Sequence, residues 1–408
     1  MFDPIKASKE IKDSYIDYIT TTFDMADTDY EREFRKELQT DGMVASGPFL
    51  DIGGSYETGH TLRELIQAQK ASVLFESLEP VAEKERELKL DRPLYQHQET
   101  AMLKAGKGEN LVITTGTGSG KTESFLLPII NHLLREQEAG TLSAGVRAII
   151  IYPMNALAND QMKRMRALFK NYPQICYGVY NGNTEHTQSK ALEEYHHTYH
   201  DETGEPTDPA PNEIISREVM QERPPHILIT NYSMLEYMML RPKDDAVFSG
   251  AKLKFIVLDE AHIYKGATGM ETSLLMRRLR ARISEPDSVQ YILTSATLGG
   301  PDADGDILSF AEKLCGVAFQ RSGIIRSTEK RPAMEDFLDF APALFEELQR
   351  SPDISSVLDR YHADFAPGGS EDEKLYALFL HSRLFALLRK VAHQPITVAQ
   401  LCQALSEI

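Results

Sequence analysis

Leu111-Val112-Ile113-Thr114-Thr115-Gly116-Thr117-Gly118-Ser119-Gly120-Lys121-Thr122 decides how this 408-residue chain is read. An apolar run enters a glycine-rich turn, and Glu123-Ser124-Phe125-Leu126-Leu127 then reads as the opening of a helix. Strand, turn and helix in that order make a phosphate-binding loop. The glycines let backbone N–H groups approach a polyphosphate, and the helix N-terminus adds its partial positive charge. Thr117, Gly118, Ser119, Gly120, Lys121, Thr122 and Glu123 are therefore the expected nucleotide-binding residues. In this pattern Lys121 reaches the β- and γ-phosphates, and the Thr122 hydroxyl holds Mg²⁺.

A second segment, Lys254-Phe255-Ile256-Val257-Leu258-Asp259-Glu260-Ala261-His262, is an almost continuous apolar run ending in two carboxylates. Such runs suit a parallel strand buried on both faces. At its C-terminal end, where α/β sheets hold ligands, Asp259 is the expected Mg²⁺ partner and Glu260 the base that orients and deprotonates water. A third apolar strand, Tyr291-Ile292-Leu293-Thr294-Ser295-Ala296-Thr297, ends in small hydroxyl residues.

The succession Gln98, Thr-Gly-Ser-Gly-Lys-Thr at 117–122, Asp-Glu-Ala-His at 259–262 and Ser-Ala-Thr at 295–297 resembles the first motor domain of superfamily 2 DEAH-type helicases. The likeness covers residues 92–325. Thr115 replaces the first glycine of the general phosphate-loop pattern, a relaxation usual in that superfamily. The resemblance implies ATP and Mg²⁺ as cofactors, with Gln98 reading adenine. It makes Lys121, Asp259 and Glu260 catalytic, with His262, Ser295 and Thr297 coupling nucleotide state to nucleic-acid grip. Segments 151–161 and 230–235 resemble the nucleic-acid-contact motifs, which gives Asn155, Asn159, Thr230, Asn231 and Ser233 as contact candidates. Small polar residues at strand ends can bond successive phosphates without reading bases. The longer form Asp259-Glu260-Ala261-His262-Ile263-Tyr264-Lys265-Gly266 is similar to bacterial DNA helicases of the DISARM phage-defence and mitomycin-repair type.

Composition sets the remaining bounds. With 42% hydrophobic residues the chain can fill a substantial core, and no apolar run reaches the roughly 18 residues of a membrane span. Cys176, Cys315 and Cys402 form no close pair, which fits a reducing cytoplasm and argues against a disulfide framework or a cysteine zinc site. A net charge of −17 suggests weak binding of DNA by this chain alone and reliance on another domain or subunit. The basic run Arg277-Arg278-Leu279-Arg280-Ala281-Arg282 spreads its charge around a helix, as expected of solvated surface or partner contact.

The expected architecture is α/β: a RecA-like parallel sheet of the P-loop NTPase type over residues 91–325. Strands are expected near 111–114, 148–152, 175–180, 227–230, 255–259 and 291–294. A mostly helical accessory domain is expected at 1–90, and a helical connector or insert at 326–408. A polar stretch at about 183–225, with His186, His196, His197 and His200, reads as a solvated, flexible insert. Leu375, Leu378, Phe379, Ser382, Phe385 and Ala386 follow helical spacing, and Thr397-Val398-Ala399-Gln400 reads as a capping box. No second RecA-like block or arginine-rich motif follows Ser295. The expected function is thus the N-terminal motor half of an ATP-dependent DNA helicase or translocase in phage defence or repair, inactive or weak without the second RecA-like domain. Its expected partners are single-stranded or forked DNA gripped by its backbone, that second domain in cis or from another chain, and defence-system subunits. The alternative is a non-hydrolysing, ATP-gated subunit that binds DNA or a partner.

Overall fold

The computed structural model describes residues 3–23, 25–40, 42–50, 56–78, 88–116, 118–200, 204–249, 251–296, 299, 301–330, 337–392 and 395–406. Its centre is an eight-stranded sheet, every neighbouring pair parallel. In chain order the strands are β1 (Leu111–Thr114), β2 (Ala148–Ile151), β3 (Tyr177–Tyr180), β4 (Glu213–Ile214), β5 (Ile227–Thr230), β6 (Phe255–Leu258), β7 (Gln290–Ser295) and β8 (Ile324–Arg326). Across the sheet they run β8-β1-β7-β6-β2-β5-β3-β4.

The apolar runs form strands here because both faces are covered. Alternate residues of one strand enter different cores: Leu111 and Ile113 face one, Val112 the other, and Ala148 and Ile150 oppose Ile149 and Ile151. On the first face lie α1 (Gln96–Gly106), α2 (Lys121–Glu138) and α3 (Asn155–Phe169), which contribute Met102, Phe125, Ile129, Leu133 and Met165. The second face is covered by α6 (Tyr232–Leu240), α7 (Gly266–Arg282) and α8 (Asp304–Cys315), through Leu235, Met276, Leu279 and Ala311. This is the expected RecA-like sheet, its C-terminal strand ends on one edge.

The chain divides into two compact units, 56–328 and 1–55 with 329–408. The expected boundary at residue 90 therefore moves. Leu62, Leu65, Phe75 and Leu78 are buried in the first-face core, and Thr58–Thr61 pairs with Pro93–Tyr95. The other unit holds the helices Pro4–Thr22 and Thr28–Gln39, a small core of Leu344, Leu348, Val357, Leu358 and Leu378, and the strand pair Phe49–Leu50 with Ile396–Thr397. Thr397 and Gln400 form the expected capping box, with N–H to side-chain distances of 3.0 and 3.2 Å. The residues at helical spacing between 375 and 386 fall on two helices, Glu371–His381 and Arg383–Val391. Buried Ser382 ends the first and caps the second by accepting from the Phe385 N–H.

The expected loose insert is built as α4 (Gln188–Thr198), the edge strand β4 and α5 (Arg217–Glu222). Arg166 of α3 grips the buried Glu213 carboxylate with contacts of 2.6–2.9 Å, and its guanidinium stacks 4.2 Å from the Tyr199 ring centre. Among the described residues no histidine cluster could hold a metal, and His196 pairs with Asp208 at 2.7 Å. No helix among them is long and apolar enough to cross a membrane. Arg278, Arg280 and Arg282 of the basic run pair with Glu236, Asp287 and Asp245, tying α7 to its surroundings.

Candidate active site

The loop between β1 and α2 turns through two left-handed glycines, Gly118 (φ +75°) and Gly120 (φ +71°). At Gly120 a side chain is excluded twice, because a Cβ there would sit 2.4 Å from Gln98 Nε2 and 3.0 Å from Glu123 Oε2. Gly120 also precedes α2 without any side-chain cap, so the first-turn N–H groups have no side-chain acceptor. That is the cradle an anionic phosphate fits. Thr117 and Thr297 lie outside the described residues.

The protein itself holds the loop in shape. Gln98 Nε2 donates to the Gly120 carbonyl at 3.1 Å, and Gln98 Oε1 accepts from the Tyr95 N–H at 3.0 Å. Gln98 is 4% exposed, so a nucleobase reaches it only if those bonds are exchanged. His97, which the sequence did not single out, places Nε2 2.8 Å from the Ser119 carbonyl. A carbonyl only accepts, so Nε2 carries the proton. Burial lowers the His97 pKa and favours this neutral ring. Ser119 is fully buried and donates to the Thr115 hydroxyl at 2.7 Å, so its side chain belongs to the loop rather than to a ligand. Glu123 pairs with Arg164 of α3, a second contact the sequence did not reveal.

β6 delivers the acidic pair to the same edge. The Asp259 N–H continues the ladder to the Ile151 carbonyl at 3.0 Å. Glu260 then takes a left-handed conformation (φ 48°, ψ 49°), uncommon for a residue with a side chain, and turns the chain into a short 3₁₀ segment. Its carboxylate stands 3.2 Å from Lys121 Nζ and 3.3 Å from His262 Nδ1. His262 Nδ1 also lies 3.1 Å from Ser295 Oγ. Thr294, unnoticed in the sequence, donates its hydroxyl to Asp259 and accepts from the Glu260 N–H at 3.3 Å. Burial pushes the Asp259 carboxyl above its ordinary pKa, with Glu260 adding repulsion and the Thr294 bond opposing. Three strand ends, β1, β6 and β7, thus bring Lys121, Asp259, Glu260, His262 and Ser295 together.

The neighbouring strand ends, β2 and β5, carry the other candidates. Asn155 opens α3, and Asn231 caps α6 by accepting from the Met234 N–H at 2.8 Å. Asn231 Nδ2 donates to Asn155 Oδ1 at 2.9 Å, so the two helix starts share one polar pair. Asn159 and Ser233 are exposed beside them. Thr230 departs from its expected role. It is 1% exposed and donates to the Tyr180 carbonyl at 2.7 Å, pinning β5 to β3 because its side chain faces inward.

Residues 95–304 match the DEAD/DEAH box helicase family, over half of the chain. The chain belongs to that family. This DEAD/DEAH box protein is 34% identical over 414 residues to Druantia protein DruE of Escherichia coli, covering 79% of the chain and 22% of DruE. It is 29% identical to the ATP-dependent helicase HRQ1 of Saccharomyces cerevisiae, covering 51% of the chain and 16% of HRQ1. The chain therefore spans less than a quarter of either relative's length. Among solved structures, the helicase MrfA bound to DNA and AMPPNP aligns with 85% of the chain and 41% of its own length, at 19% identity and a TM-score of 0.46.

Proposed function

We propose that this chain is the first motor half of an ATP-dependent DNA helicase or translocase serving phage defence or repair in the cytoplasm. The observation that carries the reading is the convergence of Lys121, Asp259, Glu260, His262 and Ser295 on one sheet edge, beside the Asn155–Asn231 pair. When bound, Mg·ATP supplies the phosphoanhydride to be cleaved and a metal that neutralises its charge. Lys121 would hold phosphate oxygens, with Thr122 and Asp259 holding the metal. Glu260, paired here with Lys121, would serve as the base for water. His262 and Ser295 join that carboxylate to the end of β7, a route by which nucleotide state reaches the nucleic-acid side. Asn155, Asn159, Asn231 and Ser233 would bond DNA phosphates, with Thr230 supporting them from beneath.

We read the unit at 56–328 as the motor, and the unit of 1–55 with 329–408 as an accessory one in place of the separate accessory domain and connector expected from the sequence. A non-hydrolysing subunit is the poorer reading, because Glu260 is present and held against Lys121. Hydrolysis needs charge stabilisation from both sides of the phosphate, and the residues above approach from one. The 408-residue chain alone should show near-background ATPase activity with saturating single-stranded DNA, restored when a second RecA-like domain is added in cis or in trans. Strong DNA-stimulated turnover by the isolated monomer would overturn the half-motor reading.

A further inference from the structure

The opposite edge of the sheet carries a feature that ATP chemistry does not use. A cavity of about 300 Å³ opens between α1, α2 and the start of β6. Its rim carries Lys70, Lys107, His132, Arg135 and Lys254, and among the described residues no carboxylate lines it. The cluster is a local concentration of positive charge in a chain whose net charge is −17. Among the described residues none of the lysines or Arg135 has a carboxylate partner. Lys254 Nζ donates to the Ser288 carbonyl at 3.0 Å, and Arg135 to the Gln69 carbonyl at 2.9 Å. Two carboxylates of α2 are already engaged: Glu136 by Arg147 (2.9 Å) and His132 (3.4 Å), and Glu138 by Ser72 (2.6 Å). The carbonyls ending α1 are satisfied too, that of Ala105 by Gln290 and Gly108, and that of Lys104 by Lys107. Burial lowers the Lys254 pKa by disfavouring its charged form.

The floor is apolar. Met102, Pro128 and Phe255 line it, and the His132 ring stands edge-on to Phe255 with centroids 5.6 Å apart. Cationic rim, largely apolar floor and a volume well above that of a bare phosphate define the ligand class. We propose that this cavity binds an organic phosphate of mononucleotide size, its ring on Phe255 and Pro128 and its phosphate held by Arg135, Lys254, Lys70 and Lys107. The site lies a strand's length, about 13 Å, from the phosphate loop. A free nucleotide and the 5′-phosphorylated end of a strand share this chemistry.

The test is calorimetric titration of the Lys121→Ala chain, which silences the phosphate loop, with AMP, inorganic phosphate, pTpT and TpT. One site per chain is expected for AMP or pTpT, at least about 10-fold tighter than inorganic phosphate or TpT. Arg135→Gln with Lys254→Gln should weaken it about 10-fold or more while ATP affinity stays unchanged when Lys121 is intact. The exposed pair Lys70→Gln with Lys107→Gln provides the same test if the first variant fails to fold. Binding by pTpT but not AMP identifies a strand end as the source. Unchanged affinity in the folded cavity variants, absence of a site in the Lys121→Ala chain, or inorganic phosphate binding as tightly as AMP would overturn the proposal. Because the readout uses cavity variants, it stands or falls separately from the role of Lys121.

Discussion

The two halves of the sheet's C-terminal edge are built on different principles. Around β1, β6 and β7 the side chains are charged and paired: Lys121 with Glu260, Glu260 with His262, Glu123 with Arg164. The backbone is forced there as well, with Glu260 and two glycines in left-handed conformations. Around β2 and β5 the groups are neutral amides and a hydroxyl at helix starts, partly exposed and without forced backbone. A site for a concentrated polyphosphate needs full charges held against repulsion. A track for a repeating backbone needs many weak donors that can be released. The difference teaches that removing one group should be catastrophic in the first half and graded in the second.

The sharpest way to break that contrast is Glu260→Gln. With the second motor domain supplied, turnover should fall by about 10²–10⁴ while ATP still binds, because the amide keeps the shape and loses the base. A steady-state ATPase assay showing retained DNA-stimulated turnover would move the base elsewhere.

Asn155→Ala and Asn231→Ala probe the graded half. Each should weaken single-stranded DNA binding about 3–10-fold in fluorescence anisotropy without altering ATP affinity, and affinity should fall with salt. A double variant losing less than the product of the two would reflect their mutual hydrogen bond. Unchanged affinity in both single variants would remove this pair from the track. Thr230→Val separates support from contact. It should lower stability by about 1 kcal/mol in denaturant unfolding, through loss of the bond to Tyr180, and leave DNA affinity nearly unchanged.

Asp259→Asn is the smallest effect on the fold. Burial raises the Asp259 pKa, so the folded chain holds that proton more tightly than the unfolded chain does. The ligand-free protein therefore loses stability as pH rises from about 3.8 through the raised value, and the carboxylate is a burden above it. The asparagine variant should melt about 2 °C higher at pH 7 and lose Mg²⁺-dependent ATP binding. A lower melting temperature would mean that the carboxylate stabilises the ligand-free site.

How much of this was legible in the sequence follows the same division. The six strands expected near 111, 148, 175, 227, 255 and 291 are present because runs buried on both faces leave an apolar signature. Strands β4 and β8 were not visible, since two or three residues at a sheet edge carry no periodicity. Lys121, Asp259 and Glu260 were legible because strand-end chemistry is written locally. His97, Thr294 and Arg164 were not: they act on Ser119, Asp259 and Glu123 across gaps that only the folded sheet closes. The inward turn of Thr230 was hidden for a related reason, since its facing depends on the neighbouring strand β3.

On the proposed function, the loop at 118–122 grips nucleotide phosphates through Lys121. Calorimetric titration of Mg·ATP into the wild-type chain and Lys121→Ala tests it most directly, with circular dichroism confirming that both are folded. The wild type should bind one ATP per chain, and the variant should lose at least about 100-fold in affinity. Equal affinity in a folded Lys121→Ala chain would contradict the assignment of this edge as the nucleotide site.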